Sequence, residues 1–363
     1  MKILHYADCN TLSFLVPWLG LMKGLSSLGV DQALLCRPGG DVSRIAREHG
    51  IETYTWKPVI AGAPILNPQY AALVRGIRPD IVHTRLSSAA GIAGRWGRFT
   101  GIPTIATFDK PAKGKYYARV DRYISCAEWL KKYMVEHSGL AAEKIDVVYN
   151  SVDVAKYARD EAERKKFRVA HGIGDDEKIF SGLGIYIPRK GFDILIRAFA
   201  AVSRERENLR LMLIGDGEER ANYIALATSL GVADRIIMPE KFVADVRPWL
   251  WASDYYVMPS REEGFSIALL EVLASGLPVI VSDIPPFTEI IENGSNGLVS
   301  IKDDPDSFAR AMNEMLAVSG DALAAMTGRC LDMMRHNFTN EAIARKTVDV
   351  YEKTLKTKQH ERA

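Results

Sequence analysis

The chain has 363 residues, 47% hydrophobic and 25% charged, which suits two globular domains of ordinary size and excludes a disordered or fibrous class. Its net charge of +2 is uneven: residues 1–150 hold 19 Lys/Arg against 12 Asp/Glu, and residues 151–363 hold 28 against 33. No nucleic-acid partner is expected from so small a total; the basic first half fits either ordinary surface variation or an anionic partner such as a phosphate-bearing lipid.

In chain order, KILHYA, QALLC, ETYTW, DIVHT, TIATF, RYISC and IDVVY read as strands, with helical segments such as WLGLMKGLSSLG and DVSRIAREHG between most of them. This alternation predicts a parallel sheet covered by helices on both faces. FLVPWLGLM, from Phe14 to Met22, is too short to span a bilayer and follows a strand rather than a charged leader. Cys9, Cys36, Cys126 and Cys330 are far apart and lack CxxC spacing, so they read as buried thiols of a reducing compartment, and no metal site is expected.

The pattern fades at VDVAKYARDEAERKKFRVAHGIGDDEK, read as an interdomain connection plus one helix, and then restarts. KIFSGLG, LRLMLIG, RIIMPE, YYVMPS, PVIVSD and GLVSI are the second set of strands, with GFDILIRAFAAVSRERE, ERANYIALATSLG and IALLEVLASG as helices between them. The expected division is 1–152 and 153–340, each Rossmann-like, with a last helix in 341–363 crossing back to the first domain. Ligands of doubly wound sheets bind outside the carboxyl ends of the strands, which directs attention to the loops there.

Two such loops carry chemistry. In PSREEGFSIALLEVLASG, residues 259–276, Gly264, Phe265 and Ser266 stand at a helix start, where unpaired N–H groups and a glycine can seat an anion. A carboxylate beside a diphosphate is repelled, so Glu263 and Glu271 read as acceptors for hydroxyls of the same ligand. Roughly 8 Å of helical rise between them suits two sugars of one nucleotide sugar better than a proton-sharing pair. In SGLGIYIPRKGFDILIRAF, residues 181–199, Lys190 follows a glycine-bearing loop and can meet a phosphate as a point charge, with Arg189 beside it; the alternative is a solvated loop lysine.

PSREEGF…LLEVLASGLPVIVSD…EIIENGSNGLV, with GLGIYIPRKGF and LMLIGDGEER, resembles the second domain of the retaining glycosyltransferases of family 4. That resemblance implies the GT-B architecture, two facing Rossmann-like domains with an interdomain cleft. It also implies sugar transfer without a metal or resident cofactor, from a UDP- or GDP-sugar donor. Lys190 then becomes a diphosphate ligand, Glu263 a contact to the transferred sugar and Glu271 a clamp on the ribose. The segment Met238 to Phe242, with Pro239 and Lys241, falls where the family cradles the base, and Glu240 reads as an exposed loop acid.

The chain departs from the family pattern at three places. Ile185 follows Gly184 where an arginine is usual, so one cation near the leaving phosphate is missing. DCNTLSF replaces the glycine-rich loop after the first strand, leaving Asn10 and Thr11 either as donors toward the diphosphate and acceptor or as helix caps. Asp109 stands where a histidine is common; it reads as a group near the anomeric carbon that stabilises positive charge or accepts a sugar hydroxyl, the alternative being a salt-bridged loop acid. Lys110, Lys113, Lys115 and Arg119 make a basic loop for an anionic acceptor or membrane, or are simply solvated. Arg85 and His83, at the end of strand DIVHT, are expected to point into the same cleft, His83 reading as packed rather than catalytic.

The expected enzyme is therefore a hexosyltransferase of the cytoplasm, with or without contact to the inner face of the cell membrane. Its acceptor is a saccharide or lipid-linked saccharide, as in lipopolysaccharide or other cell-surface glycan synthesis. A non-catalytic sugar-nucleotide-binding protein and an enzyme with a soluble small acceptor are the alternatives.

Overall fold

A computed structural model describes residues 1–9, 15–59 and 67–361. The chain divides into two compact units, Met1–Val152 with Phe338–Ala363, and Asp153–Asn337.

The first unit holds β1 (Lys2–Ala7), β2 (Asp31–Cys36), β3 (Glu52–Thr55), β4 (Ile81–Arg85), β5 (Thr104–Phe108), β6 (Arg122–Ser125) and β7 (Ile145–Val147). They form one parallel sheet in the order β3-β2-β1-β4-β5-β6-β7. Strands buried on both faces need apolar residues in both phases, and β1 supplies them. Ile3 and Ala7 pack on one face with Trp18, Leu25 and Tyr351. Leu4 and Tyr6 pack on the other with Tyr70, Val74 and Ile92. The helices Leu15–Ser27 and Asn340–His360 lie against each other because Gly20 and Gly24 share a face. A Cβ on Gly24 would sit 2.1 Å from the Asn340 carbonyl oxygen, so any other residue would push the last helix away.

The second unit holds β8 (Lys178–Leu183), β9 (Leu209–Ile214), β10 (Ile236–Ile237), β11 (Tyr255–Met258), β12 (Val279–Ser282) and β13 (Leu298–Ser300), again all parallel, in the order β10-β9-β8-β11-β12-β13. Its core joins Phe180, Leu211 and Val257 of the sheet to Phe192 and Phe199 of helix Phe192–Ser203 and Phe308 and Met312 of helix Pro305–Ala317.

The charged stretch expected to be a connection with one helix forms two, Val154–Tyr157 and Glu161–Ala170, and both belong to the second unit. Its charges have partners. Arg164 Nη1 donates to the carbonyls of Trp251, Ala252 and Ser253 at 2.8, 2.7 and 2.9 Å, closing the end of helix Arg247–Ala252, and Nη2 pairs with Asp254 at 2.8 Å.

Candidate functional site

Strand order reverses beside β1 in the first sheet and beside β8 in the second, and a crevice opens where loops leave neighbouring strands in opposite directions. In the second unit the loops at this point follow β8 and β11, and they carry both quoted motifs. Chemistry predicted from residues 73 positions apart in sequence meets there: Lys190 Nζ lies 2.5 Å from Glu263 Oε1. Ser260 Oγ donates to the same oxygen at 3.1 Å, and Arg189 Nη1 lies 3.6 Å from Oε2. Lys190 and Glu263 are largely buried, whereas half of the Arg189 side chain remains exposed.

The two loops touch through backbone. Gly191, at φ 69°, occupies the left-handed region, and a Cβ there would fall 2.1 Å from the Pro259 carbonyl oxygen. Arg261 fastens the contact from the other side. Its N–H donates to the Arg189 carbonyl at 2.8 Å, and Nη1 to that of Pro188 at 2.6 Å. The guanidinium grips Asp193 through two bonds of 2.9 Å and Asp303 through one of 2.6 Å. Burial works against ionisation of Asp193, but the hydrogen bonds from Arg261 win and hold its carboxyl below the ordinary range. Sequence reading passed over Arg261 because a loop arginine among acids gives no sign of partners 68 residues away.

Beside these loops is a cavity of about 460 Å³, within the range of small-molecule sites. Glu271, Tyr157, Gly184, Ile185, Gly215 and residues 242–247 are in its wall. Glu271 accepts a hydrogen bond of 2.6 Å from the Tyr157 hydroxyl. Burial raises the carboxyl above its ordinary value, with that bond and Lys156 opposing. Ile185, at the position where the family pattern has arginine, is 58% exposed at the cavity, and Phe242 is 76% exposed. Two exposed apolar side chains thus share the wall with Lys156, Asp216, Asp245 and Arg247.

Other expected residues fall differently. Ser266 caps helix Ile267–Ala274, its Oγ accepting from the Leu269 N–H at 3.3 Å, and Phe265 is buried, so in both the side chain serves the fold while the backbone holds the helix start with Gly264. The lining beyond β10 begins at Phe242: the Pro239 carbonyl is taken by Arg220 at 2.7 Å, and Pro239, Glu240 and Lys241 lie outside the wall. Of the segment 238–242, Phe242 alone is in the wall, which continues through residue 247.

In the first unit, Asp109 pairs with Arg85 Nη2 at 3.0 Å, and that nitrogen also donates to Asn150 at 2.7 Å. His83 is buried, bonded through Nδ1 to the Tyr351 hydroxyl and through Nε2 to Thr107 Oγ1, each at 2.7 Å, and belongs to the core. Lys110, Lys113, Lys115 and Arg119 are exposed. Asn10 and Thr11 lie outside the described residues. Asp8, just before them, is in a two-bond pair with Arg37, at 2.6 and 3.2 Å. The cysteines form no disulfide. Among the described residues no group of three His, Cys, Asp or Glu is arranged to hold a metal ion, and no helix is long and apolar enough to cross a membrane.

The chain resembles known proteins in sequence and in fold. Residues 18–156 match the family model Glycosyltransferase Family 4, and residues 163–329 match Glycosyl transferases group 1. The chain is 27% identical to the lipopolysaccharide core biosynthesis glycosyltransferase LpsE of Rhizobium meliloti, over 99% of this chain and 100% of that protein. It is 30% identical to an uncharacterized glycosyltransferase of Methanocaldococcus jannaschii over 63% of this chain, and spans only 59% of that relative's length. In fold it is similar to Anabaena HepE, solved in complex with UDP, with TM-score 0.86 and 16% identity over 97% of this chain and 100% of that one. With both units matched and two parallel Rossmann-like sheets in place, the chain belongs to the family 4, group 1 glycosyltransferases and has their GT-B fold.

Proposed function

We propose that this glycosyltransferase moves a hexose from a nucleotide-diphosphate sugar to a hydroxyl of a saccharide or lipid-linked acceptor, with retention at the anomeric carbon, in the synthesis of lipopolysaccharide or another cell-surface glycan. The observation that carries this reading is the meeting of Lys190 and Glu263 at the switch point of the second sheet, beside a cavity that Glu271 lines.

The roles follow from charge. Lys190, with Arg189 and the helix start at 264–266, neutralises the diphosphate as the bond from its oxygen to the anomeric carbon breaks. Glu263, held by Lys190 and Ser260, accepts a hydroxyl of the transferred sugar, and Glu271 accepts a ribose hydroxyl. The acceptor oxygen bonds to the anomeric carbon on the face being vacated, and its proton passes to the departing phosphate oxygen. Asp109, held by Arg85, is assigned to the sugar on the family resemblance. The full-length likeness to LpsE supports a lipopolysaccharide-type acceptor, and the exposed lysines at 110, 113 and 115 support contact with an anionic surface at the inner face of the membrane.

UDP-sugars and GDP-sugars are screened for the one that raises the melting temperature, and that donor is then assayed for slow hydrolysis and for transfer. A Glu263→Ala variant that keeps full turnover removes Glu263 from the reaction. The apolar Ile185 in place of a phosphate-facing cation favours one rival, a non-catalytic nucleotide-sugar binder; donor binding without hydrolysis or transfer to any saccharide would establish it.

A further inference from the structure

Tyr157 enters the cavity from the first helical turn of the second unit, 114 residues before its partner Glu271. Its backbone is anchored: the Trp251 indole N–H donates to the Tyr157 carbonyl at 3.1 Å, in a buried contact. Its hydroxyl provides the one hydrogen bond that the Glu271 carboxylate accepts from a side chain among the described residues. We propose that Tyr157 is a positioning residue for the donor: its hydroxyl orients the Glu271 carboxylate as an acceptor for a hydroxyl of the nucleotide ribose. This rests on the reading of Glu271 as a ribose contact.

A carboxylate raised by burial has two ways to fail. It turns away, or it takes up a proton and then offers a donor where the ribose hydroxyl needs an acceptor. The Tyr157 hydroxyl opposes both. The other charged and titratable groups around Glu271 are Lys156 on the same helical turn, Asp245 and Arg247 across the cavity, Asp216 after β9, and Tyr256 on β11. Asp245 and Arg247 are bonded to each other through two contacts, at 2.8 and 2.6 Å, and Lys156 lies over the Tyr157 ring, 5.9 Å from its centre. Helix Gly320–Asn337, packed on the other side of helix Ile267–Ala274, buries Met326, Cys330 and Met334, and the Cys330 thiol donates to the Asn296 carbonyl. None of these gives Glu271 a hydrogen bond in place of the Tyr157 hydroxyl.

The test is the dissociation constant of UDP, and of GDP, for wild type, Tyr157→Phe and Glu271→Gln between pH 5 and 8. Tyr157→Phe is expected to weaken the nucleotide that binds by about tenfold at pH 7. It should also move the acid limb of binding to higher pH, since the carboxyl loses the bond that favours its charged form. With the 2′,3′-dideoxy nucleotide the difference between wild type and Tyr157→Phe should vanish; a merely structural tyrosine would weaken both nucleotides alike. Unchanged affinity and an unchanged acid limb in Tyr157→Phe, with Glu271→Gln impaired, overturn the inference and leave the ribose reading standing. Unchanged affinity in Glu271→Gln overturns the ribose reading itself. If Tyr157→Phe does not fold, Glu271→Asp, one methylene too short to reach the hydroxyl, is put through the same comparison.

Discussion

Lys190 and Glu263 are a largely buried ion pair, 13% and 7% exposed in their side chains, and such a pair is held by mutual dependence more than by net gain. Removing Lys190 alone strands a carboxylate with only Ser260 and the half-exposed Arg189 nearby. Lys190→Met is therefore expected to cost the second unit about 3 kcal/mol, read from the urea midpoint. Adding Glu263→Leu should recover most of that loss. Transfer behaves differently: Lys190→Met should lower it by about 10²–10³-fold, the scale of one lost transition-state charge contact, and the double variant should not recover it. Recovery of rate along with stability would mean that the pair only holds the loops together.

At the scale of elements, the loops after β8 and β11 act as one piece because Arg261 joins them to the first turn of helix Phe192–Ser203. Lysine keeps the charge but cannot reproduce the paired bonds to Asp193 while reaching Pro188 and Asp303. Arg261→Lys should thus lower stability by about 1–2 kcal/mol and weaken severalfold the nucleotide that binds, although Arg261 is outside the cavity wall; a fall in stability with unchanged nucleotide affinity would separate the clamp from the site. The thirteen strands among the described residues were legible in the sequence, most of them as the short apolar runs of parallel sheets, though the edge strand β3, ETYT, is not apolar. The weakest, RIIMPE, keeps only Ile236 and Ile237 as an edge strand, and the cavity lining beyond it begins at Phe242. Lys190 and Glu263 were legible because each sits in a motif with its own loop chemistry. Arg261 and Tyr157 were not: one lay within a charged motif and the other in a stretch whose composition suggested a connection, and the partners of both are far away in sequence.

Across the whole molecule the two units differ in how they meet acid. The first unit buries two histidines, His5 and His83, with ring centroids 5.7 Å apart; those of the second, His171 and His336, bond only through Nδ1 to carbonyls on exposed helix faces. Burial lowers His5 to about 4, its bond to Gln32 opposing, and burial with the neighbouring His5 and Arg85 lowers His83 well below its ordinary value. The unfolded chain therefore binds protons that the folded first unit refuses, so the stability from these neutral imidazoles is complete above about pH 6.5 and drains away as pH falls toward 4. For His5 alone the loss at pH 5 is about 2 kcal/mol, at 1.36 kcal/mol per unit. The second unit has no buried histidine, and the raised carboxyl of Glu271 works the other way, taking up its proton in the folded state before the unfolded chain does. Hydrogen exchange should resolve the difference: between pH 7.5 and 5, after correction for intrinsic rates, protection of β1 and β4 amides falls while that of β8 and β11 holds. His5→Gln, which keeps a donor for Gln32 but cannot titrate, should flatten the dependence in the first unit. Equal loss of protection in both sheets would show that the histidine pair does not set the acid limit of the fold.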